Sequence, residues 1–196
     1  MIIGITGGTG CGKTTLLHVI QELDGIVLDC DAIYHVLLQT DNNLLRAIGD
    51  RFPGTVNNGQ LDRKALGAIV FSDDAALQDL NAITHSAVKN KVIHILQKNP
   101  DKLSAIDAIS LFESGLAELC NVTVAVTAPE EDRIARIMAR DGISRDYAIA
   151  RVRSQKSNEA FASLCDHTLI NDGTEEAFRS KCLAFCRHIG IIEENV

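Results

Sequence analysis

The first fifteen residues constrain the fold of this 196-residue chain more than any other stretch. A short apolar run, MIIGIT, leads directly into GGTGCGKTT, and four of the six residues from 7 to 12 are glycine. Glycine loses more backbone entropy on folding than any other residue, so a glycine cluster is costly to order. A tight curl of backbone whose N–H groups converge on an anion would explain why the chain tolerates this cost.

The spacing Gly7-x-x-x-x-Gly12-Lys13-Thr14 matches the P-loop pattern, and it lies between a predicted strand and a predicted helix. The helix that begins near Lys13 directs the positive end of its dipole at the loop. We expect Lys13 to reach the β- and γ-phosphates of a nucleotide and the Thr14 hydroxyl to hold Mg²⁺. The sequence therefore predicts a binding site for a nucleoside triphosphate in its first fifteen residues.

Short apolar runs alternate with helical patterns along the whole sequence. Buried strands are predicted at 1–6, 25–29, 103–111, 121–128 and 167–171. Helices are predicted to begin at Lys13, at Asp73-Asp74, at Pro129, at Ser144 and at Thr174. Because the strands lack polar alternation and are separated by helices, we predict an α/β fold in which helices cover both faces of a parallel sheet.

A mainly helical stretch at 32–98 lies between the second and third predicted strands. Within it, the glycine, asparagine and proline content of RFPGTVNNGQLD, at 51–62, predicts a loop or a hairpin. We predict a single three-layer domain with a core at 1–31 and 99–196 and with 32–98 as an inserted lobe.

Charge and cysteine spacing narrow the class of protein. The formal net charge of -7 argues against general nucleic-acid binding. No apolar run approaches membrane-spanning length. The six cysteines form no CxxC pair, which is typical of reduced, buried thiols in a cytosolic protein. We expect a cytoplasmic protein without nucleic-acid or membrane partners, and the sequence leaves open whether it is a monomer or a small homo-oligomer.

Two carboxylates, Asp29 and Asp31, follow the second predicted strand, at the edge where open parallel sheets bind ligands. Asp31 is placed to orient an acceptor hydroxyl for phosphoryl transfer. Alternatively, Asp31 is the N-cap of a helix at 32–39, and the two roles are compatible.

A cluster of arginines occupies the predicted helices that follow Pro129. Its members are Arg133, Arg136, Arg140, Arg145, Arg151 and Arg153. Any single one is equally well explained as a solvated helix charge. Taken together they predict a lid at about 133–160 that excludes water, so that phosphate passes to an acceptor and is not hydrolysed.

The order and spacing of several segments resemble the dephospho-CoA kinase family. The segments are IGITGGTGCGKTT, LDCDAIYHVLL, GQLDRKALGAIVFSD, LNAITHSAV, LFESGL, RIARIMARDG and LINDGT, and they extend from residue 1 to about Gly173. The resemblance implies a P-loop kinase core with strand order 2-3-1-4-5, an acceptor-binding lobe and a lid. It also implies Mg²⁺-dependent transfer of the ATP γ-phosphate to the ribose 3′-hydroxyl of dephospho-CoA, the last step of coenzyme A biosynthesis.

The resemblance further assigns residues by position. Binding of ATP is assigned to Gly8, Gly10, Cys11, Gly12, Lys13, Thr14, Thr15, Arg136, Asn171 and Gly173, with Thr14 also on the metal. Catalysis is assigned to Lys13, Asp31 and Arg140. Binding of the acceptor is assigned to Asp31, Arg63, His85, Leu111, Phe112 and Glu113.

Some positions depart from the family pattern. Ser86 follows His85 where the family usually has proline, Ile109-Ser110 replaces Pro-Leu, and Arg133 stands where a lid glutamine is usual. These changes spare the P-loop and concern the acceptor side and the lid. Two alternatives therefore stay open, namely another P-loop kinase for nucleosides, nucleotides or small molecules, and a nucleotide-binding regulatory protein without transfer activity.

Overall fold

The computed structural model describes residues 1–192. Its strands are β1 (Ile2–Thr6), β2 (Ile26–Asp29), β3 (Val56–Asn57), β4 (Gln60–Leu61), β5 (Ser104–Asp107), β6 (Val122–Thr127) and β7 (His167–Ile170). Five of them form one parallel sheet in the order β2-β5-β1-β6-β7. Numbered along the chain, these five strands follow the order 2-3-1-4-5. The predicted α/β fold and strand order are confirmed.

The helices are α1 (Lys13–Glu22), α2 (Cys30–Thr40), α3 (Asn42–Arg51), α4 (Arg63–Val70), α5 (Asp74–Lys98), α6 (Glu130–Asp141), α7 (Arg145–Arg153), α8 (Asn158–Leu164) and α9 (Glu175–His188). Asp73, Ser144 and Thr174 accept hydrogen bonds from the first backbone N–H groups of α5, α7 and α9, as their sequence context predicted. Within residues 1–192, no helix is both long enough and apolar enough to cross a bilayer.

The stretch between β2 and β5 contains α2 to α5 and a small hairpin. The hairpin pairs β3 with β4 in antiparallel fashion, within the segment predicted as a loop or hairpin. Buried residues of these helices, such as Ile48 and Val92, share one hydrophobic cluster with Leu28 and Ile106 of the sheet. The stretch therefore packs directly on the sheet, beside the carboxyl ends of its strands.

The other face of the sheet is covered by α1 and α9. Leu16 and Ile20 of α1 and Phe178 of α9 form a second hydrophobic cluster with the sheet residues Ile3 and Ile5. Because both faces are buried, the strands are apolar without alternation, which is what made them readable in the sequence. This packing fixes α1, and with it the preceding glycine loop, against the centre of the sheet.

Two elements differ from the sequence prediction. The strand expected over 103–111 ends at Asp107, because the chain enters a series of turns that leads to a 3-10 helix at Leu116–Leu119. Leu111 lies in a turn but is fully buried. Its apolar side chain therefore indicated a buried position, and it did not indicate a strand. The helix α8 was not predicted, since its seven residues are too few to show a helical period.

Candidate active site

Residues 7–12 curl between β1 and α1, where the glycine pattern predicted a phosphate loop. The N-cap of α1 is Gly12, with a φ of 96° and no side-chain hydrogen bond to the helix. The first backbone N–H groups of α1 are therefore not capped by that residue's side chain, as an anion site requires. The Lys13 ammonium donates to the Gly7 carbonyl at 3.1 Å and lies 3.8 Å from Asp107 Oδ1.

Two glycines of the loop are required by close neighbours. A Cβ at Gly8 would lie 2.1 Å from a guanidinium nitrogen of Arg133, and one at Gly12 would lie 2.2 Å from Asn171 Nδ2. Asn171 is buried and its Nδ2 donates to the Cys11 carbonyl at 3.0 Å. The loop is thus held from behind by side chains that come from α6 and from the segment after β7.

A cavity of about 380 Å³ lies in front of the loop. Its walls are formed by the loop with Lys13 and Thr14, by the carboxylates Asp29, Asp31 and Asp107, and by Arg136, Arg140, Arg151 and Gln155. Basic groups and backbone N–H groups suit phosphates, and the carboxylates suit a cation and a hydroxyl group. The cavity therefore joins the two kinds of group that phosphoryl transfer needs.

The arginines of the cavity are oriented by hydrogen bonds to the phosphate loop, to Asn171 and to Asp141. Arg136 donates to the Gly10 carbonyl and to Asn171 Oδ1, each at 3.3 Å. Arg140 Nε and Arg151 Nη1 both donate to the carboxylate of Asp141, each at 2.6 Å. The hydrogen bond from Arg140 is the main cause that holds the pKa of Asp141 below its usual value. Asp141 thus fixes two guanidinium groups at the mouth of the cavity.

Asp29 at the end of β2 and Asp31 in α2 have different roles. Asp29 is the N-cap of α2, and its Oδ1 accepts from the Ala32 N–H at 2.9 Å. The alternative that Asp31 caps this helix is wrong, because α2 begins at Cys30 and Asp31 lies in its first turn. The Asp31 side chain is left to line the cavity.

Asp107 ends β5 and is a second carboxylate of the site. Its Oδ1 is buried and has no hydrogen-bond partner within the described chain. Burial raises its pKa to about 6 and Lys13 opposes that shift, while the charges of Asp29 and Asp31 add to it. A buried, unsatisfied carboxylate oxygen beside a phosphate loop is suited to a metal ion.

A second, smaller pocket of about 150 Å³ lies beside the first. Its lining includes Asp31, Tyr34, His85, Ile109 and Ser110. Burial lowers the pKa of His85, which favours a neutral imidazole at physiological pH. Asp31 and Ile109 line both cavities, so the two spaces meet at Asp31.

The other residues expected on the acceptor side lie outside this pocket's lining. Arg63 is the first residue of α4, and its Nη2 is 3.4 Å from His35 Nδ1. Glu113 forms an ion pair with Lys156 of the lid segment. Phe112 packs against the hydrophobic cluster under the lobe. The Leu111 side chain is fully buried against Gly4, so the acceptor-side assignment of Leu111 remains a prediction for its backbone.

The remaining residues expected to bind ATP support the loop. The Thr15 N–H donates to the Gly12 carbonyl at 3.1 Å within the first turn of α1. Cys11 lines the cavity but is 1% exposed, and burial raises the pKa of its thiol. Gly173 and Asn171 follow β7 and do not belong to the cavity lining.

Three residues of the site were not singled out from the sequence: Asp107 and Gln155, which line the cavity, and Asp141, which binds two of its arginines. The Gln155 Oε1 accepts from the Thr9 N–H at 2.8 Å. The sequence prediction placed Asp107 inside a strand at 103–111, so its position at the sheet edge that also carries Asp31 is seen only in the fold.

Comparisons with known proteins agree with this geometry. A sequence profile for dephospho-CoA kinase matches residues 1–176. A dephospho-CoA kinase from Carboxydothermus hydrogenoformans is 35% identical over 188 residues, which cover 93% of this chain and 91% of the relative. The crystal structure of TT1252 from Thermus thermophilus superposes with a TM-score of 0.79 at 33% identity, covering 96% of this chain and 97% of that one.

A dephospho-CoA kinase from Campylobacter jejuni superposes with a TM-score of 0.68 at 27% identity and covers 96% of both chains. The profile match includes the phosphate loop, the carboxylates after β2 and β5, and the lid arginines. The resemblance inferred from the sequence segments is confirmed, and this chain belongs to the dephospho-CoA kinase family.

Proposed function

We propose that this chain transfers the γ-phosphate of ATP to the ribose 3′-hydroxyl of dephospho-CoA, giving CoA and ADP, as the last step of coenzyme A biosynthesis. Family membership supports the reaction. The structural observation that carries the proposal is the position of Asp31, which lines both the phosphate cavity and the neighbouring pocket. Neither of the alternatives left open by the sequence gains support from these relatives.

On the nucleotide side, the backbone N–H groups of residues 8–14 would cradle the phosphates. Among residues 1–192, the Lys13 ammonium contacts only the Gly7 carbonyl and the distant Asp107 carboxylate, so it is available to a phosphate in the cavity. Arg136 and Arg140 already border the cavity and would neutralise charge that develops on the transferred group. The adenine contacts expected at Asn171 and Gly173 are not part of the proposal, because the Asn171 amide is engaged with Cys11.

Thr14 and Asp107 are the residues that would hold Mg²⁺. The unpaired, buried Oδ1 of Asp107 fits such a role, since a carboxylate oxygen is a preferred ligand of Mg²⁺. In the described part of the chain, no cluster of three or more His, Cys, Asp or Glu side chains is arranged for a metal ion. Two protein ligands are in keeping with Mg²⁺, which keeps water and phosphate oxygens as its other ligands. When bound, the ion neutralises phosphate charge.

On the acceptor side, we propose that α2 to α5 form the acceptor-binding lobe and that the pocket beside His85 holds part of dephospho-CoA. Asp31 would accept a hydrogen bond from the ribose 3′-hydroxyl and orient its oxygen toward the γ-phosphate. Because phosphoryl transfer passes through a loose transition state, orientation contributes more than early removal of the proton. The proton passes to the Asp31 carboxylate as the new P–O bond forms.

The finer assignments follow from this function. We propose a cytoplasmic enzyme that acts as a monomer or small homo-oligomer, with a lid at about 133–160 that closes over the cavity. All six cysteines are free, which is in keeping with a reducing compartment.

The direct test is incubation of the protein with Mg-ATP and dephospho-CoA, followed by mass spectrometry of the acceptor. We expect a product heavier by one phosphoryl group, and we expect the Lys13→Ala variant to give none. A panel of nucleosides and nucleotides serves as the control for acceptor specificity. Tight ATP binding without product from dephospho-CoA, or faster transfer to another acceptor, would refute the proposed function.

A further inference from the structure

Arg133 places a buried guanidinium directly behind the phosphate loop. Its side chain belongs to α6, and the residue is 3% exposed. The hydrogen-bond acceptors that the structure gives it are both neutral, the Thr9 carbonyl at 3.0 Å and Gln155 Oε1 at 3.0 Å. Glu130, one turn earlier in the helix, forms its ion pair with Arg153, and its charge also acts on Arg133 from a distance. Within residues 1–192 no carboxylate forms an ion pair with Arg133, and since burying a charge without such a pair is costly, this arrangement requires an explanation.

The contacts of Arg133 converge on one residue of the loop. Gln155 Oε1 accepts from the Thr9 N–H at 2.8 Å and also from Arg133, while Arg133 Nε donates to the Thr9 carbonyl. Both backbone polar groups of Thr9 are thereby held by lid side chains. The guanidinium also approaches Gly8 closely, since a Cβ there would be 2.1 Å from one of its nitrogens. Gly8 itself lines the cavity, so the positive charge lies next to the backbone that borders the phosphate site.

We propose that Arg133 is a positioning residue for the nucleotide, which fixes Thr9 together with Gln155 and whose buried charge is stabilised further by bound phosphates. The inference rests on the proposed function, because it requires a triphosphate in the cavity. Coulomb attraction across a water-excluded loop is much stronger than between exposed groups. ATP binding and the buried charge therefore stabilise each other, and the pKa of Arg133, which burial lowers, would recover when phosphate binds.

The test compares ATP affinity and ligand-free stability in Arg133→Gln, Arg133→Lys and the wild-type protein. Isothermal titration calorimetry gives the Kd for Mg-ATP, and thermal unfolding without nucleotide gives Tm. We expect Arg133→Gln to weaken ATP binding by about tenfold, since a charge-assisted contact is lost. We expect Arg133→Lys to bind ATP more tightly than Arg133→Gln, because it keeps the charge. The ligand-free Tm of Arg133→Gln should equal or exceed that of the wild type, because an unpaired buried charge is removed.

Arg179→Gln is the matched control, because Arg179 is an exposed arginine of α9 that pairs with Glu22, outside the lid and the cavity lining, and its loss should leave ATP affinity unchanged. An Arg133→Gln variant that binds ATP as tightly as the wild type would overturn the inference. Equal affinities of the glutamine and lysine variants would overturn it too, as would a lowered ligand-free Tm in Arg133→Gln, which marks a purely structural role. Failure of the wild-type protein itself to bind ATP would instead overturn the proposed function.

Discussion

Among single residues, Asp107 shows most clearly how burial decides the chemistry of this site. Lys13 Nζ lies 3.8 Å from its Oδ1, yet burial outweighs that attraction and raises the pKa of Asp107 to about 6. The charges of Asp29 and Asp31 act in the same direction as burial. The carboxylate is therefore held in a place that is unfavourable for its own charge. Such a position is useful only if a cation shares the site.

The first prediction concerns the stability of the ligand-free protein. Because its folded pKa is raised, Asp107 binds protons more readily in the folded than in the unfolded state, and it destabilises the fold above about pH 6. Asp107→Asn should therefore raise the free energy of unfolding at pH 8 by up to about 3 kcal/mol. This gain should fall as pH drops through 6 and vanish near pH 4.

Urea unfolding of both proteins at pH 8 and at pH 4, with chelator present, measures the difference. The same variant should lose Mg-dependent turnover, so stability and activity would change in opposite directions. An equal gain at both pH values would show that the carboxylate does not carry the burial cost assigned to it.

The second prediction distinguishes the role of Asp31 in α2 from that of Asp29, the last residue of β2. Asp31→Asn should lower kcat by about a hundredfold or more, because the oriented hydrogen bond to the acceptor hydroxyl is weakened, while the Kd for ATP changes little. Asp29→Asn is the matched control, since asparagine is an equally good N-cap and α2 should be preserved. Steady-state kinetics and ATP titration of both variants test this difference. If both variants lost kcat to a similar extent, the local negative charge would matter and the position of Asp31 would not.

For single residues, the sequence was sufficient to predict a place in the site where that place depends on spacing within a short segment. Lys13 and Thr14 belong to a contiguous motif, and Asp31 follows a recognisable strand, so each is readable without knowing the fold. Gln155 and Asp141 owe their roles to contacts made only after folding, Gln155 with Thr9, 146 residues away. The burial of the Leu111 side chain was also not predictable, because a motif match indicates a position and not the direction of a side chain.

At the scale of elements, the lid depends on how α6 ends. Gly142 terminates α6 in the left-handed conformation, with a φ of 65°, and the last residue of the helix is Asp141. The carboxylate of Asp141 accepts from Arg140 on its own helix and from Arg151 on α7. One carboxylate therefore sets the relative placement of two helices and two cavity arginines.

The third prediction follows from this junction. Asp141→Asn should lower kcat by about tenfold, because both guanidinium groups lose the partner that orients them. The Tm should change little, since exposed ion pairs contribute little to stability. Glu131→Gln is the control, because it breaks the exposed pair with Arg145 on the same two helices. If both variants lowered kcat alike, general loosening of the lid would explain the effect better than the orientation of Arg140 and Arg151.

The starts of helices were predictable where a capping side chain preceded an apolar helical pattern in the sequence. The caps at Asp73, Ser144 and Thr174 each combined a short polar side chain with a following helical pattern, and all three are confirmed. The end of β5 was not predictable, because the apolar run continues into turns that are buried by the lobe. The position of 32–98 on the sheet was likewise not predictable. It depends on contacts between side chains of this stretch and side chains of the strands, and the sequence alone does not show which of them meet.

For the whole molecule, the division of the hydrophobic core determines which part is able to move. The two clusters on the faces of the sheet contain most of the buried side chains. The lid has a separate cluster, formed by Ile134, Ile137, Ala148 and Val152. Outside this cluster, the contacts that attach α6 to the rest of the protein include polar ones, such as those of Arg133 to Thr9 and of Arg136 to Gly10. Polar contacts exchange with water at lower cost than buried apolar ones.

The fourth prediction is that the lid opens as a unit below the free energy of global unfolding. In native-state hydrogen exchange, amides of α7 should exchange through a partial opening, whereas those of β1 and β6 should exchange only through global unfolding. Mg-ATP with dephospho-CoA should slow exchange in α7 by more than it slows exchange in α9, because the lid arginines gain phosphate partners while α9 serves as an internal control far from them in sequence. Exchange of α7 and β1 with the same denaturant dependence would show that the separate apolar cluster does not give the lid independent motion.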